Sequence, residues 1–277
     1  MTYRTIAVIL QGEQESSRVL DCAVSLATRI GAHLVGVHAE VLPVPYTSAV
    51  GFPDTDFIQV STELNKETTL KLRGIFHERA EDSGVSFEWR TLESFSGDGS
   101  ISGLSSIRSA DLVIAAQRDV ESEDGTDVES LVYDSGRPIL MVPQSGAVLS
   151  SYRRVLLAWN GSKEAARATF DALPFLIDAE QTDILIIDPS HTAEEGPEAA
   201  GARIAASLSR HGVNVSVSVQ ESGSQSVEAL IQERLAATGA DLLVLGAYSH
   251  SWLRELLFGG VTRSILRSSP VTVLISR

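Results

Sequence analysis

Cysteine is nearly absent from this sequence, since Cys22 is the only one in 277 residues. A single thiol excludes an internal disulfide framework and a cysteine-based zinc cluster. Long hydrophobic runs are absent too: no stretch of about 18 apolar residues occurs, and no small-residue cleavage site follows the apolar stretch near the N-terminus. We therefore expect a cytoplasmic protein with no membrane partner, and we place Cys22 in the core.

Basic residues are scarce. The chain has 22 Lys and Arg against 36 Asp and Glu, a formal net charge of -14. Binding to a nucleic-acid backbone requires a basic stripe, so this balance argues against a nucleic-acid partner and confines any anion site to a local arrangement. The hydrophobic content of 43% is sufficient for one large or two medium domains.

Internal similarity divides the chain into two halves. The matched segments are 6–24 with 156–173 at an offset of 149, 109–116 with 239–246, and 137–143 with 269–275. Gly, Ser and Pro cluster between apolar runs in 143–154, which marks the join. We expect one domain at 1–146 and a second at 152–277.

Short apolar segments alternate with amphipathic ones in both halves, as is typical of a parallel sheet covered by helices on both faces. The predicted strands of the second half are 154–159, 183–188, 213–219, 241–246 and 271–275. Strict alternation in 213–219 predicts a strand near a sheet edge. A helix is predicted at 226–238, with Ser226 as N-cap and Gly239 after its end. The first half has a long helix at 56–82, after a Pro/Gly-rich segment.

The C-terminal stretch "ADLLVLGAYSHSWLRELLFGGVTRSILRSSPVTVLISR" (240–277), with "WNGS" (159–162) and "DILIIDPS" (183–190), resembles the universal stress protein family. Over nearly all its length the chain resembles the tandem members, with a degenerate first half. The resemblance implies α/β domains, each a five-stranded parallel sheet of the adenine-nucleotide alpha hydrolase-like type, packed about a pseudo-two-fold axis. It also implies a role in the stress response. Many members bind ATP without rapid turnover, and others bind no nucleotide.

The family's ATP signature is Gly, two residues, Gly, nine residues, then Gly followed by Ser or Thr. This chain keeps the spacing and has Gly246, Ser249, Gly259 and Gly260 at the four positions. Gly246 ends a predicted strand at the carboxyl edge of the sheet, where ligands of such folds collect. The next helix would open at Gly259, Gly260 and Val261, where free amides favour an anion.

Other residues complete the candidate site. Ser249 and Thr262 carry hydroxyls near the glycines, and the resemblance places the backbone of Ile187 against adenine. Asn160 stands where the family usually has an acidic residue near ribose and adenine; it equally fits the start of an Asn-Gly turn. Ser162 is predicted to cap the helix that starts at Lys163.

An alternative interpretation gives the glycines no ligand. Gly246 would be a strand-end turn, and Gly259 with Gly260 a bend between helices. The local charge favours binding, because 247–267 contains Arg254, Arg263 and Arg267 against one acid, Glu255. These arginines also fit a solvated helix face. His250 alone is too weak a signal for a metal site.

We predict a non-enzymatic protein, because no Walker loop, nucleophile elbow or zinc-protease motif occurs. ATP accompanied by Mg is the implied cofactor. The alternative is a non-nucleotide interaction protein whose first domain binds a partner through its acidic face and the excursion at 41–82. A slow ATPase stays open as a third class, as does further homodimerisation.

Two expectations concern the halves. Strands at 138–142 and 271–275 should pair and join them, which hides two sheet edges. At most one nucleotide should bind, in the second half, because 117–134 holds seven acids against Arg118 and lacks a glycine pair. Residues 1–150 carry 22 acids and 11 bases, whereas 151–277 carry 14 and 11.

Overall fold

The computed structural model of the protein describes residues 2–41, 55–94, 99–117, 128–189, 197–247 and 261–277. The strands are β1 Thr5–Ile9, β2 His33–Val41, β3 Phe87–Ser94, β4 Leu112–Ala116, β5 Ile139–Val142, β6 Arg154–Ala158, β7 Gln181–Ile187, β8 Val215–Gln220, β9 Leu242–Gly246 and β10 Thr272–Ser276. The helices in these ranges are α1 Glu13–Ile30, α2 Thr55–Ser83, α3 Gly99–Ile107, α4 Val128–Asp134, α5 Lys163–Asp171, α6 Leu173–Asp178, α7 Pro197–Arg210, α8 Val227–Thr238 and α9 Val261–Arg267.

All ten strands form one sheet, in the order β3-β2-β1-β4-β5-β10-β9-β6-β7-β8. Each half contributes five parallel strands in the same relative order, which confirms the predicted fold class. The halves join where β5 and β10 pair antiparallel, with Leu140 opposite Leu274. This pairing confirms the predicted junction. It covers one edge of each half and leaves β3 and β8 as the outer strands, so the edge position predicted for 213–219 is also confirmed.

The strand register corrects one detail of the internal alignment. Val113 pairs with Ile139 in the first half, and Leu243 pairs with Val273 in the second, so Ile139 corresponds to Val273. The match of 137–143 to 269–275 is therefore wrong by two residues. It aligned the prolines, but the two strands begin at different distances after their prolines.

Local capping explains the helix ends in the second half. The hydroxyl of Ser162 accepts from the Ala165 N–H at 3.1 Å, and Ser226 accepts from Ala229 in the same way. Gly239 ends α8 in the left-handed conformation at φ 61°. These caps confirm the predicted starts of α5 and α8 and the predicted end of α8.

Two hydrophobic cores lie on opposite faces of the sheet. One is covered by α1, α2, α5, α6 and α7, and the other by α3, α4, α8 and α9. Each core contains side chains from both halves, because the central strands belong to both. Cys22 is buried in the first core, as predicted, and burial raises the pKa of its thiol to about 11.

Polar contacts also cross between the halves. Tyr3 donates its hydroxyl to the Asp171 carbonyl, and Arg29 pairs with Asp178 at 2.7 Å. A cavity of about 240 Å³ lies beside this pair, between α1 and α6. It is at the amino ends of the strands, the edge opposite to the predicted ligand site.

A buried charge cluster fixes the outer strand of the second half. Asp183 on β7 pairs with Arg234 of α8 at 2.6 Å and accepts from Ser216 and Ser218 of β8. Burial alone would raise the pKa of Asp183, but these hydrogen bonds and the guanidinium outweigh it and lower the pKa. Within the described ranges, no helix combines the length and the apolar composition that crossing a membrane requires.

Candidate functional site

The candidate site lies at the carboxyl edge of the second half. Asn160 follows β6, Ile187 ends β7 and Gly246 ends β9, and these three strands are neighbours in the order β9-β6-β7. The carboxyl ends of adjacent parallel strands meet at one edge, so the fold brings these three predicted residues together. Ser249, Gly259 and Gly260 lie outside the described residues, as do His250 and Arg254.

Gly246 is held close to the first turn of α5. A Cβ at this position would lie 2.3 Å from the Ala165 nitrogen, 2.3 Å from the Glu164 carbonyl carbon and 2.7 Å from its oxygen. Its backbone is not left-handed, so a strand-end turn does not explain the glycine. The close approach of the α5 backbone does, because no other residue leaves enough space there.

The Asn160 side chain makes a hydrogen bond within its own turn. Its Oδ1 accepts from the Ser162 N–H at 3.0 Å, which fits the interpretation that it starts the Asn-Gly turn. Ile187 is half-buried, and the next residue, Asp188, has a positive φ of 48°. Hydrogen bonds from Ser222 lower the pKa of Asp188, so a carboxylate stands beside Ile187 at this edge.

The predicted anion end of the site begins α9. Val261 is half-buried, and the Thr262 side chain is buried, so Thr262 would offer a ligand its backbone N–H more readily than its hydroxyl. Arg263 pairs with Glu129 of α4 at 3.3 Å. This ion pair therefore links the second half to the first. Arg263 is also one of the three arginines that make the segment 247–267 positively charged.

Two buried polar atoms lie at the same edge and were missed by sequence reasoning. The Glu164 side chain is only 4% exposed, and its Oε2 has no hydrogen-bond partner among the described residues. Ser276, which pairs with Gly246 in the sheet, is 2% exposed, and within the described ranges its Oγ also has no partner. The sequence does not indicate that either side chain is buried. A Glu in the first turn of a helix, such as Glu164, is normally solvated.

The equivalent edge of the first half is filled by its own side chains. Gln11, with its amide nitrogen turned toward these acceptors, donates to the carbonyls of Leu10 at 3.2 Å and Ala39 at 3.1 Å. By register, Gln11 corresponds to Asn160 and Ala39 to Ile187. His38 is buried, and its Nδ1 lies 2.7 Å from the Leu10 carbonyl oxygen. Backbone acceptors that could meet a base are thus already used in this half.

The polar groups at this edge indicate the kind of ligand that it could bind. Among the residues that the structure describes, no group of three or more His, Cys, Asp or Glu side chains could hold a metal ion. The second half offers instead a glycine with backbone packed around it, a helix start at Val261 and acceptor oxygens at Glu164 and Asp188. A ligand with both an anionic group and hydrogen-bond donors would match these features.

Comparison with known proteins shows what the second half and the whole fold are similar to. Residues 151–277 match the model of the universal stress protein family. A universal stress protein from Archaeoglobus fulgidus DSM 4304 has a similar structure, with a TM-score of 0.70, 16% identity, and 99% of this chain and 98% of that chain covered. A Pseudomonas aeruginosa UCBPP-PA14 protein assigned to the same family gives a TM-score of 0.59 at 17% identity, with 99% and 93% covered. No curated protein matches the sequence.

Proposed function

Because residues 151–277 belong to the universal stress protein family and the N-terminal half repeats their fold, we propose that the chain is a stress-response protein that binds one adenine nucleotide, ATP with Mg, in its C-terminal half. The proposed contacts are Asn160, Ile187, Gly246, Ser249, Gly259, Gly260, Val261 and Thr262. Its role is to sense or buffer the nucleotide without rapid turnover. We take 1–146 and 152–277 as its two domains.

The observation that carries this proposal is the difference between the two carboxyl edges. In the first half, with its amide nitrogen turned toward these acceptors, Gln11 donates to the carbonyls of Leu10 and Ala39, which are then not available to a ligand. In the second half, the shorter Asn160 accepts from the Ser162 N–H within its own turn. The acidic segment 117–134 of the first half adds electrostatic repulsion of a triphosphate. These features support one site per chain.

Calorimetric titration of the full chain with ATP and Mg tests the proposal. We expect one site per chain. Replacing Gly259 and Gly260 together by Leu should abolish binding while the far-UV circular dichroism spectrum is retained, because a Cβ prevents close approach of phosphate to the helix-opening amides. Gly74→Leu, at a glycine of α2 where a Cβ meets nothing within 4 Å, is the control and should bind ATP like the wild type. Two equivalent sites, or unchanged affinity in the double variant, would contradict the proposal.

A second candidate function rests on the surface of α2. Val60 and Leu64, four residues apart on one face of α2, are 59% and 58% exposed, and adjacent exposed apolar side chains can form a contact surface. The alternative is therefore an interaction protein that recognises a partner through α2 and binds no nucleotide. Absence of any heat signal with ATP, ADP and AMP would favour this alternative.

A further inference from the structure

The cavity of about 240 Å³ between the halves lies at the C-terminal ends of α1 and α6, away from the proposed nucleotide site. Its lining includes the buried side chains of Tyr3, Leu26 and Phe175. The Tyr3 hydroxyl donates to the Asp171 carbonyl, and the Tyr3 and Phe175 rings pack with their centroids 5.5 Å apart. The inner part of the cavity is therefore formed by an aliphatic side chain and two aromatic rings.

A partly exposed ion pair also lines this cavity. The Arg29 and Asp178 side chains are 31% and 50% exposed, and Arg29 Nη1 lies 2.7 Å from Asp178 Oδ2. Among the described residues this is the contact that joins them, so other guanidinium N–H groups and the second carboxylate oxygen can still bind a ligand. An ion pair at this exposure contributes little to stability, so it can rearrange around a ligand at small cost.

The chemistry of the lining selects the ligand. Asp178 is the last residue of α6, where the helix carbonyls also favour a positive charge, so its carboxylate suits an ammonium group. The Arg29 guanidinium suits a carboxylate. An α-amino acid carries both groups on one carbon, and it would replace one ion pair by two. A cavity of about 150 Å³ is enough for benzene, so this one has room for a large apolar side chain.

We propose that this cavity binds a free α-amino acid with a large apolar side chain, such as leucine or phenylalanine. The ligand carboxylate pairs with Arg29, its ammonium group pairs with Asp178, and its side chain packs against Leu26 and Phe175. It also covers Ile177, which lines the cavity and is 42% exposed. Because α1 belongs to the first half and α6 to the second, the ligand contacts both halves. The inference goes beyond the proposed function and does not depend on it.

Calorimetric titration of the full chain with L-leucine, L-phenylalanine and three analogues tests this assignment. We expect one site per chain for each of the two amino acids. Isocaproate lacks the ammonium group of leucine and isoamylamine lacks its carboxylate, so each should bind about tenfold more weakly, as expected for lost hydrogen bonds to a charged group. L-Alanine keeps both charges but has only a methyl side chain, and it should also bind at least about tenfold more weakly because it buries less apolar surface.

Arg29→Gln locates the site. In this variant the affinities for L-leucine and isoamylamine should converge, because the ligand carboxylate has lost its partner. Arg79→Gln is the matched control: it breaks an ion pair with Asp21 of similar exposure, outside the cavity lining, and should keep the wild-type ratio.

Three results would overturn the inference: no saturable binding of either amino acid, equal affinity of the wild type for L-leucine and any analogue, or an unchanged ratio in Arg29→Gln. A shifted melting temperature with an unchanged ratio counts among them, because it indicates a structural role only. If Arg29→Gln does not fold, the analogue series on the wild type still decides. ATP binding by Arg29→Gln should equal that of the wild type, so the two sites are tested separately.

Discussion

Replacing Gly246 by Ala is expected to destabilise the protein through a single added methyl group. The new Cβ would lie 2.3 Å from two backbone atoms of α5, so the helix or the strand end must move. Overpacking costs about 1–3 kcal/mol, and we expect about 3 kcal/mol because backbone atoms give way less easily than side chains. For a chain of this size, that free energy corresponds to a fall of about 6–12 °C in the melting temperature.

Thermal unfolding followed by circular dichroism measures this effect. Gly74→Ala is the matched control, since Gly74 lies within α2 and a Cβ there meets no atom within 4 Å. The control should be more stable than the wild type by about 0.5–1 kcal/mol, because Ala is favoured over Gly in helices. If Gly246→Ala melts within 1 °C (about 0.3 kcal/mol on the same scale) of the wild type, the close packing of α5 does not explain this glycine.

Two further predictions concern buried groups. Asp183→Asn should lower the free energy of unfolding by about 1–3 kcal/mol at neutral pH, since it weakens a pair in which Arg234 is still 27% exposed. Because the folded-state pKa of Asp183 is lowered, its contribution is complete above about pH 4 and is lost at lower pH. Chemical denaturation at pH 7 and pH 3 should therefore show the gap between variant and wild type shrinking; a constant gap would contradict this. Cys22, with its pKa raised to about 11, should react with a disulfide reagent at pH 8 only after unfolding, and rapid labelling of the native protein would show that it is accessible.

Sequence patterns predicted the features that local physics controls. Ser162, Ser226 and Gly239 mark helix ends through hydrogen bonds and backbone conformations within a few residues. The alternation in 213–219 predicted a strand near the sheet edge, and β8 is an outer strand in which no residue is fully buried. The pairing that joins the two halves was also predictable from the sequence. β5 and β10 are equivalent strands, and each would leave an exposed sheet edge if it did not pair with the other.

The site was predicted less completely, because its properties depend on distances between elements. Sequence spacing identified Gly246 but gave the glycine a role toward phosphate, whereas α5 already requires it. The burial of Glu164 depends on how closely α5 approaches the sheet, and no periodicity reports that distance. Gln11 and Asn160 occupy equivalent positions, yet a single methylene decides whether the amide reaches the neighbouring strand or its own turn.

The antiparallel join of β5 and β10 also has a consequence for biosynthesis. β5 is complete at Val142, whereas its partner begins only at Thr272, so the whole second half is translated in between. At about 5–20 residues per second, the ribosome leaves the β5 edge open for roughly 6–26 s. During that time the nascent first half can pair with the same edge of another chain on the same messenger RNA. The shortness of β5, four residues followed by Pro143, limits that competing association.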